Sequence, residues 1–244
     1  MRVLVTPDYE SLSQTAADLI VKAIRVKPAL RIGLPTGNTP LGLYEELVKK
    51  HREGTLDLSQ VTTFNLDEFL GLPQGHPQSF HTYMRQHLFG NVNVPPQNIH
   101  IPNGSPGVDA DAESKRYEEA IEKAGGLDLL VVGIGSNGHI AFNEPGAAFN
   151  SRTRVVDLAA ETIANAQRQF GAEPAPRQAI TMGIATMLEA RRIVLLAAGA
   201  AKAGVVERAL RGPATESLPA SALQRHSEVI AILDEAASGP GKIG

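Results

Sequence analysis

The chain contains no cysteine among its 244 residues. Disulfide bonds, catalytic thiolates and thiolate metal sites are therefore excluded. A charge excess of either sign is also missing, because 23 basic and 26 acidic residues give a net charge of −3. Nothing in that total favours nucleic acid or an anionic membrane surface as a partner.

Long apolar runs are absent as well. No run approaches the roughly 18 residues that are needed to span a bilayer, and Pro7 interrupts the N-terminal stretch before a secretory apolar core could form. We therefore expect no membrane partner and a cytoplasmic location. The HExxH and EF-hand patterns are missing too, so we expect no bound metal.

What the sequence does contain is an alternation of short apolar runs with longer helical patterns. Hydrophobic residues make up 43% and charged residues 20% of the chain, as in ordinary globular proteins. The predicted strands are Val3–Thr6, Leu30–Leu34, Val61–Asn65, Leu127–Gly133, Ile193–Ala197 and Val229–Leu233. The predicted helices are Ser11–Arg25, Pro40–His51, Ser79–Leu88, Asp109–Lys123 and Ala200–Leu210. Strands separated by helices of about 10–15 residues indicate parallel crossovers and a sheet that is covered on both faces.

A segment near residues 150–180 interrupts this alternation. Thr153–Leu158 is compatible with a strand, and Glu161–Phe170 predicts a polar helix. The segment is either a lid over a site or an ordinary surface excursion. Without a repeat or a linker, the sequence favours a single domain over residues 1–244. We also expect residues 94–106 to form a long surface connection and residues 239–244 to form a fraying tail.

The stretch from Gly133 to Gly146 places His139 and Glu144 five residues apart. It follows an apolar run that is typical of a buried strand, and it is too rich in glycine to be a regular helix. Proton-transfer groups at the end of a central strand are what an α/β enzyme needs at its ligand crevice. The alternative is a strand-to-loop turn with incidental polar residues.

A second loop, residues 33–40, lies between a predicted strand and a predicted helix. Its backbone N–H groups and the positive end of the helix form a nest that suits phosphate. Thr36 and Thr39 add hydroxyl donors, and Pro40 fits the first helical turn. The loop matches neither the GxGxxG fingerprint nor the phosphate loop of nucleotide triphosphatases. The alternative is a helix start that Thr39 caps.

Charged side chains at three other places have two interpretations each. Asp67 and Glu68 follow a predicted strand and either face solvent or direct Asp67 into the crevice as a general base. Lys202 begins a helix after a strand, which repeats the pattern of an anion site, although a lysine on an exposed helix is also ordinary. Arg168 either clamps a phosphate from the polar helix or lies on a solvated face.

Taken together, these segments resemble the glucosamine-6-phosphate deaminase family, also called isomerases, over nearly the whole chain. The resemblance is carried by six segments in the family's order: residues 34–40 (LPTGNTP), 64–68 (FNLDE), 138–145 (GHIAFNEP), 151–154 (SRTR), 179–183 (AITMG) and 219–223 (PASAL). The related 6-phosphogluconolactonases share the fold and a Gly-His loop but lack the ending Phe142-Asn143-Glu144-Pro145.

The resemblance implies an open, mostly parallel, Rossmann-like α/β sheet and an enzyme of amino-sugar catabolism. Such an enzyme converts D-glucosamine 6-phosphate and water to D-fructose 6-phosphate and ammonia. It needs no redox cofactor, because the reaction consists of proton transfers and the hydrolysis of an imine. The family's assignments imply ring opening by His139, proton relay by Glu144 and abstraction of the C2 proton by Asp67. The matching phosphate-binding positions are Thr36, Gly37, Asn38, Thr39, Arg168 and Lys202.

The chain also departs from the family. Some members have aspartate where Asn137 stands here. We expect Asn137 to orient His139 by a hydrogen bond without stabilising the imidazolium by charge. Other members are oligomers with an activator site whose serines and lysine correspond to Ala147, Ala148 and Val156, while Arg154 remains. We therefore expect a monomer without that site.

Two other functions remain open from the sequence. A lactonase would hydrolyse 6-phosphogluconolactone without releasing ammonia. A non-catalytic regulator that binds sugar phosphate would retain the loop at residues 36–39 and Lys202 but could dispense with Asp67 and His139.

Overall fold

A computed structural model describes residues 1–239 of the chain. The strands are β1 (Arg2–Thr6), β2 (Arg31–Leu34), β3 (Thr62–Asn65), β4 (Asp67–Phe69), β5 (Ile99–His100), β6 (Leu129–Gly133), β7 (Arg154–Asp157), β8 (Gln178–Thr181), β9 (Ile193–Ala197) and β10 (Val229–Asp234). The helices are α1 (Tyr9–Val26), α2 (Leu41–Arg52), α3 (Phe80–His87), α4 (Ala110–Ala124), α5 (Ala160–Phe170), α6 (Ile184–Leu188), α7 (Ala203–Arg211) and α8 (Glu235–Ser238). Beyond Gly239, the predicted tail lies outside the described residues.

Seven strands form one parallel sheet in the order β1-β10-β9-β6-β2-β3-β5. The chain builds outward from β2 to β3 and β5 on one side, and from β6 to β9 and β10 on the other. The order therefore reverses between β2 and β6. In open α/β sheets, ligands bind at such a reversal, beyond the carboxyl ends of the strands. The loops after β2 and β6 are the two that carry most of the predicted site.

Apolar side chains cover both faces of this sheet. Along β6, Leu129 and Val131 point to one face and Leu130 and Val132 to the other, and all four are at most 1% exposed. Helices α1 and α2 pack on the first face, and α4 and α7 pack on the second. This two-sided burial explains the continuous apolar run in the sequence and confirms the predicted α/β architecture.

A second, antiparallel sheet in the order β4-β8-β7 lies beside the first. Residues 150–180, which interrupt the alternation, supply β7, α5 and the start of β8. They pack on a small apolar cluster that is distinct from the two faces of the main sheet, formed chiefly by Phe69, Phe142, Leu158, Phe170 and Ala179. The segment is therefore structured and rests on residues that flank the predicted catalytic positions.

Every predicted strand and helix is present, with ends that move by a few residues at most. The prediction for residues 94–106 was incomplete, because Ile99–His100 within that stretch pairs with β3 as the edge strand β5. Strands β4 and β8 and the short helices α6 and α8 were not predicted from the sequence. None of the helices within residues 1–239 combines the length and the apolar character that a bilayer crossing requires.

A buried carboxylate anchors the start of β6. Asp128 accepts hydrogen bonds from Lys27 Nζ at 2.7 Å and from Arg31 Nε and Nη2 at 2.8 Å each. Its side chain is 6% exposed, and that of Arg31 is 15% exposed. Burial favours the neutral acid, but the hydrogen bonds from Arg31 and Lys27 outweigh it and hold the pKa of Asp128 well below its usual range. The ion cluster fixes β6 against β2 at the end of the strand opposite to the loop from Gly133 to Gly146.

We expect Asp128→Asn to lower the free energy of unfolding at pH 7 by roughly 1–3 kcal/mol, because it leaves the Arg31 guanidinium without its buried partner. A depressed pKa stabilises the fold above the unfolded value of about 3.9 and stops doing so as the pH falls toward the folded value. Urea denaturation should therefore show a deficit at pH 7 that shrinks below pH 4.

Asp18→Asn provides the matched control. Asp18 also pairs with a lysine, at 2.8 Å from Lys50 Nζ, but its side chain is 69% exposed. Exposed pairs contribute about 0–1 kcal/mol. Equal losses in the free energy of unfolding for the two variants would show that burial does not strengthen the ion pairs of Asp128.

Candidate active site

The loop after β6 is folded around the ring of His139. The Gly135 N–H donates to the His139 carbonyl oxygen at 2.9 Å, and the Gly138 N–H donates to the Gly135 carbonyl oxygen at 3.1 Å. A Cβ atom on Gly135 would lie within 2.5 Å of three atoms of the imidazole. Gly138 has φ +88°, a conformation that favours glycine. The glycines that exclude a regular helix here thus make room for the histidine.

His139, Glu144 and Asn137 form one cluster. Glu144 Oε2 lies 3.5 Å from His139 Nδ1 and accepts a hydrogen bond from Asn137 Nδ2 at 2.8 Å. Asn137 Oδ1 accepts from the backbone N–H of His139 at 3.1 Å. Asn137 therefore makes hydrogen bonds to both His139 and Glu144, and its bond to His139 is to the backbone N–H and not to the imidazole.

Glu144 is held in its ionised form. Burial opposes ionisation, but His139, Thr162 and Asn137 together lower the pKa of Glu144 to about 2. The hydroxyl of Thr162 donates to Glu144 Oε1 from the first turn of α5. Nothing in the sequence distinguished Thr162, since a threonine near a helix start is common. The cluster thus places a carboxylate where it can stabilise a proton on His139.

Asp67 is buried at the start of β4, with 5% of its surface exposed. Its Oδ1 atom has no hydrogen-bond partner among the described residues. Burial and the neighbouring charge of Glu68 raise the pKa of Asp67 to about 8. A carboxyl group with a raised pKa and a free oxygen has the properties of a general base that works near neutral pH.

Glu68 is equally buried but fully engaged. Its carboxylate accepts from the backbone N–H groups of Phe69, Phe80 and His81 at 2.8–3.0 Å. It also contacts His81 Nδ1 at 2.9 Å. Glu68 therefore binds the first turn of α3. The two adjacent acids diverge as expected, although neither faces solvent.

Strand β8 joins Asp67 to the catalytic loop. Thr181 pairs with Asp67 in the antiparallel ladder, and its Oγ1 accepts a hydrogen bond from the Phe142 N–H at 3.1 Å. The next residue, Met182, donates to the Leu66 carbonyl oxygen at 2.7 Å and accepts from Asn143 Nδ2 at 2.8 Å. These contacts fix the Asp67 segment and the loop from Gly133 to Gly146 side by side.

The loop at residues 36–39 follows β2 at the reversal point. Gly37 has φ +106°. Helix α2 begins after Pro40 without a side-chain cap, so the alternative that Thr39 caps the helix is wrong. A cavity of about 410 Å³ adjoins the loop where it meets α1 and α2. It is lined by Tyr9, Asn38, Thr39, Leu41, Gly42, Glu45 and Ala198. Ala198 follows β9, the strand that leads to Lys202.

Lys202 and Arg168 belong to different elements, the turn before α7 and helix α5. Lys202 is half-buried, and burial lowers its pKa while the charge of Glu161 opposes that shift. Arg168 is exposed near the end of α5 and forms no ion pair within residues 1–239. It lies seven residues after Glu161, whose Oε1 accepts from Ser136 Oγ at 2.6 Å, so both occupy the helix face that borders the catalytic loop.

Another cavity, of about 350 Å³, is lined by His81, His100, Glu113 and Arg116 among others. None of the predicted catalytic or phosphate-binding residues lines it. Glu113 and Arg116 pair with each other there at 2.6 Å. We therefore take the edge at the ends of β2, β3, β6 and β9 as the candidate site, because it gathers a free carboxyl group, an imidazole, an ionised carboxylate and an open backbone loop.

This fold and site define an α/β protein with a buried free carboxyl group, an imidazole beside a carboxylate and an open backbone loop at the reversal point of a parallel sheet. The sequence matches the family of glucosamine-6-phosphate isomerases and 6-phosphogluconolactonases over residues 7–231. The chain belongs to this family.

Individual relatives cover nearly the whole chain. Glucosamine-6-phosphate deaminase of Rhodopirellula baltica is 53% identical over 98% of this chain and 95% of its own length. Glucosamine-6-phosphate deaminase 2 of Bacillus subtilis is 46% identical over 96% and 95%. A solved structure of a monomeric glucosamine-6-phosphate deaminase superposes with a TM-score of 0.93 at 42% identity, covering 98% of this chain and 99% of that one. The 6-phosphogluconolactonase of Trypanosoma brucei shares the fold, with a TM-score of 0.76 at 22% identity over 97% of each chain.

We expect Asp67→Asn to raise the free energy of unfolding at pH 7 by roughly 1–3 kcal/mol. A folded pKa of about 8 means that the fold favours the protonated acid. The loss of folding stability that ionisable Asp67 causes is therefore absent below the unfolded pKa of about 3.9. It grows as the pH rises from there toward 8. Asparagine removes the ionisable group and so removes this cost.

Urea denaturation from pH 3 to pH 8 checks this expectation. The variant and the parent should have similar stability near pH 3 and diverge as the pH rises. A variant that is less stable than the parent at pH 7 would show that Asp67 is not held in an unfavourable environment.

Proposed function

We propose that the chain converts D-glucosamine 6-phosphate and water to D-fructose 6-phosphate and ammonia. The observation that carries this proposal is the buried Asp67 carboxyl, with a free oxygen and a raised pKa, held beside a His139–Glu144 pair. Removal of a proton from carbon needs such a base, and ring opening needs a separate proton shuttle. The names of the relatives support the same reaction.

We assign ring opening to His139. Neutral imidazole can take the proton of the anomeric hydroxyl and return one to the ring oxygen, since its reference pKa is about 6.5. Nδ1 faces Glu144 Oε2 at 3.5 Å, which leaves Nε2 for the substrate. The ionised Glu144 stabilises the imidazolium that forms in between.

We assign removal of the proton from C2 to Asp67. In the open chain, the C1 aldehyde acidifies the proton on C2. Asp67 accepts that proton, and the electron pair of the C–H bond forms the C1–C2 double bond. The π pair of the C1 carbonyl moves to O1, which takes up a proton, so the product is an enolamine with a hydroxyl group on C1. A proton delivered to C1 then gives an imine at C2. Water adds to C2 and ammonia leaves, so the C2 ketone is formed without any redox change.

The phosphate group is assigned to Thr36, Gly37, Asn38, Thr39 and Lys202, with Arg168 acting from α5. We propose that residues 1–244 form one domain in which residues 150–180 act as a lid. The hydrogen bonds from Thr162 to Glu144 and from Ser136 to Glu161 support this assignment, because they tie the first turn of α5 to the catalytic loop. Closure of such a lid would bring Arg168 to the phosphate and exclude water.

Ammonia release from D-glucosamine 6-phosphate tests the reaction. We expect the parent to release ammonia and Asp67→Asn to lose at least about hundredfold in kcat, because its amide cannot accept the C2 proton. The exposed Asp111 gives the control Asp111→Asn, which should retain the parent's rate. D-galactosamine 6-phosphate, assayed in parallel, reports the preference at C4.

The outcome separates the alternatives. Hydrolysis of 6-phosphogluconolactone without ammonia release would identify a lactonase. Binding of sugar phosphates without turnover of either substrate would identify a regulator. An Asp67→Asn variant with the parent's rate would refute the assignment of the base.

We propose that the chain acts as a monomer without an allosteric activator site, in the cytoplasm, where charged sugar phosphates are retained because they do not cross an apolar bilayer unaided. Ala147, Ala148 and Val156 offer no polar side chain to an activator. Arg154 is used elsewhere, since its Nη1 donates to Asn143 Oδ1 at 2.9 Å. The likeness to a monomeric deaminase supports the same assignment.

We expect light scattering to give a mass near 25.9 kDa and the rate to follow a hyperbola in substrate concentration. Neither should change when N-acetylglucosamine 6-phosphate is added. Sigmoidal kinetics that this compound abolishes would contradict the proposal, as would a larger mass at assay concentrations.

A further inference from the structure

Three tyrosine hydroxyls surround the loop at residues 35–39. Tyr44 donates to the Pro35 carbonyl oxygen, and Tyr83 donates to the Gly37 carbonyl oxygen at 2.6 Å. Tyr9 lies 3.1 Å from the Asn38 carbonyl oxygen and 3.0 Å from that of Thr39. Four of the five carbonyl oxygens in this short stretch are thus in contact with a phenol.

These contacts fix the direction of the loop's N–H groups. In a trans peptide, the carbonyl of one residue and the N–H of the next point in opposite directions. Tyr44 therefore sets the N–H of Thr36, Tyr83 sets that of Asn38, and Tyr9 sets that of Thr39. Among residues 1–239, none of the N–H groups from Thr36 to Thr39 donates to a protein acceptor. They are oriented and unused.

We propose that Tyr9, Tyr44 and Tyr83 are positioning residues, which hold the carbonyl oxygens of this loop away from the site and keep its N–H groups directed at the phosphate of the substrate. The proposal deepens the function proposed above and rests on it for the identity of the anion. A carbonyl dipole turned toward a phosphate would repel it, so three outward anchors favour anion binding before the ligand arrives.

The tyrosines are themselves fixed by the surrounding structure. The rings of Tyr44 and Tyr83 pack edge to face with centroids 6.4 Å apart. The Tyr9 hydroxyl accepts from the Gly42 N–H at 2.8 Å, which links the start of α1 to the first turn of α2. A Cβ atom on Gly42 would lie 3.1 Å from that hydroxyl and 2.4 Å from Ser13 Oγ. Gly42 therefore lets α1 approach closely enough for Tyr9 to reach the loop.

The hydroxyls of Tyr44 and Tyr83 remain hydrogen-bond donors near neutral pH. Burial and the nearby Tyr9 raise the pKa of Tyr83 above its usual value, and burial raises that of Tyr44. Only the protonated phenol can donate to a carbonyl oxygen. The Tyr44 and Tyr83 anchors therefore stay in place while Asp67 changes its protonation.

The variants Tyr83→Phe and Tyr9→Phe test the proposal, because each removes one hydroxyl and keeps the ring. Both positions are partly exposed, whereas Tyr44 is fully buried. We expect each variant to raise KM for D-glucosamine 6-phosphate by roughly three- to tenfold, as for the loss of one hydrogen bond, with kcat within about twofold. The dissociation constant of inorganic phosphate, measured by calorimetry, should rise by a similar factor.

Tyr117→Phe is the matched control. The Tyr117 hydroxyl also donates to a backbone carbonyl oxygen, that of Asn65 at 2.6 Å, which belongs to β3 and not to the loop. The affinity for inorganic phosphate should be unchanged in this variant. A purely structural role for the tyrosines would lower thermal stability in all three variants without changing phosphate affinity in any of them.

The calorimetric measurement separates this proposal from the proposed reaction. If the parent released no ammonia, a loss of phosphate affinity in Tyr83→Phe and Tyr9→Phe would still support the anchors while the reaction failed. If the parent released ammonia but both variants kept its KM and phosphate affinity, the anchors would be refuted and the reaction would stand. A kcat that fell with KM unchanged would also refute the positioning role.

Discussion

The burial of the Asp67 carboxyl group without a partner for Oδ1 is the constraint around which the site is arranged. A carboxylate in such a place is costly, and the group would escape to solvent or find a donor if its segment could move. Several contacts prevent this. Strand β4 pairs with β8, and a Cβ atom on Gly104 would lie 1.9 Å from the Phe69 carbonyl oxygen, so the following segment packs directly on β4.

Glu68 shows how two adjacent buried acids can have opposite environments, one with hydrogen-bond partners and one without. Three backbone N–H groups and an imidazole surround its carboxylate, so its charge is compensated although it is buried. That fixed charge lies one residue from Asp67 and adds to the effect of burial in raising the pKa of Asp67. One acid secures helix α3, and the other is kept basic by its surroundings and by its neighbour.

The sequence contained enough information for the main sheet. The run Leu127–Val132 is apolar at every position but Asp128, because both faces of β6 are covered, and helices α1 and α4 carry clear apolar stripes and Asp caps. It contained little information on the second sheet. Strand β4 has three residues, two of them acidic, and its partner β8 follows 111 positions later, counted from Asp67 to Gln178. Pairing of such short segments depends on tertiary contacts, which no local pattern encodes.

The candidate site likewise contains residues that the sequence predicts and residues that it does not. His139, Glu144 and Asp67 were accessible because loops at strand ends and family motifs mark them. Thr162, Thr181 and the three tyrosines were not, since their importance lies in which atom each hydroxyl reaches. Tyr9 contacts a loop about 30 residues away. The proton-transfer groups can be read from the sequence, whereas the groups that orient them can be read only from the structure.

Asn137 illustrates why that distinction matters for chemistry. Its Nδ2 donates to Glu144 Oε2 at 2.8 Å, which an aspartate could not do unless it were protonated. Two ionised carboxylates at that distance would raise the pKa of one of them. With asparagine, Glu144 keeps its full charge at a pKa of about 2, and that charge faces His139. With an amide in place of a second acid, the imidazolium is therefore still stabilised, but by a single carboxylate, that of Glu144.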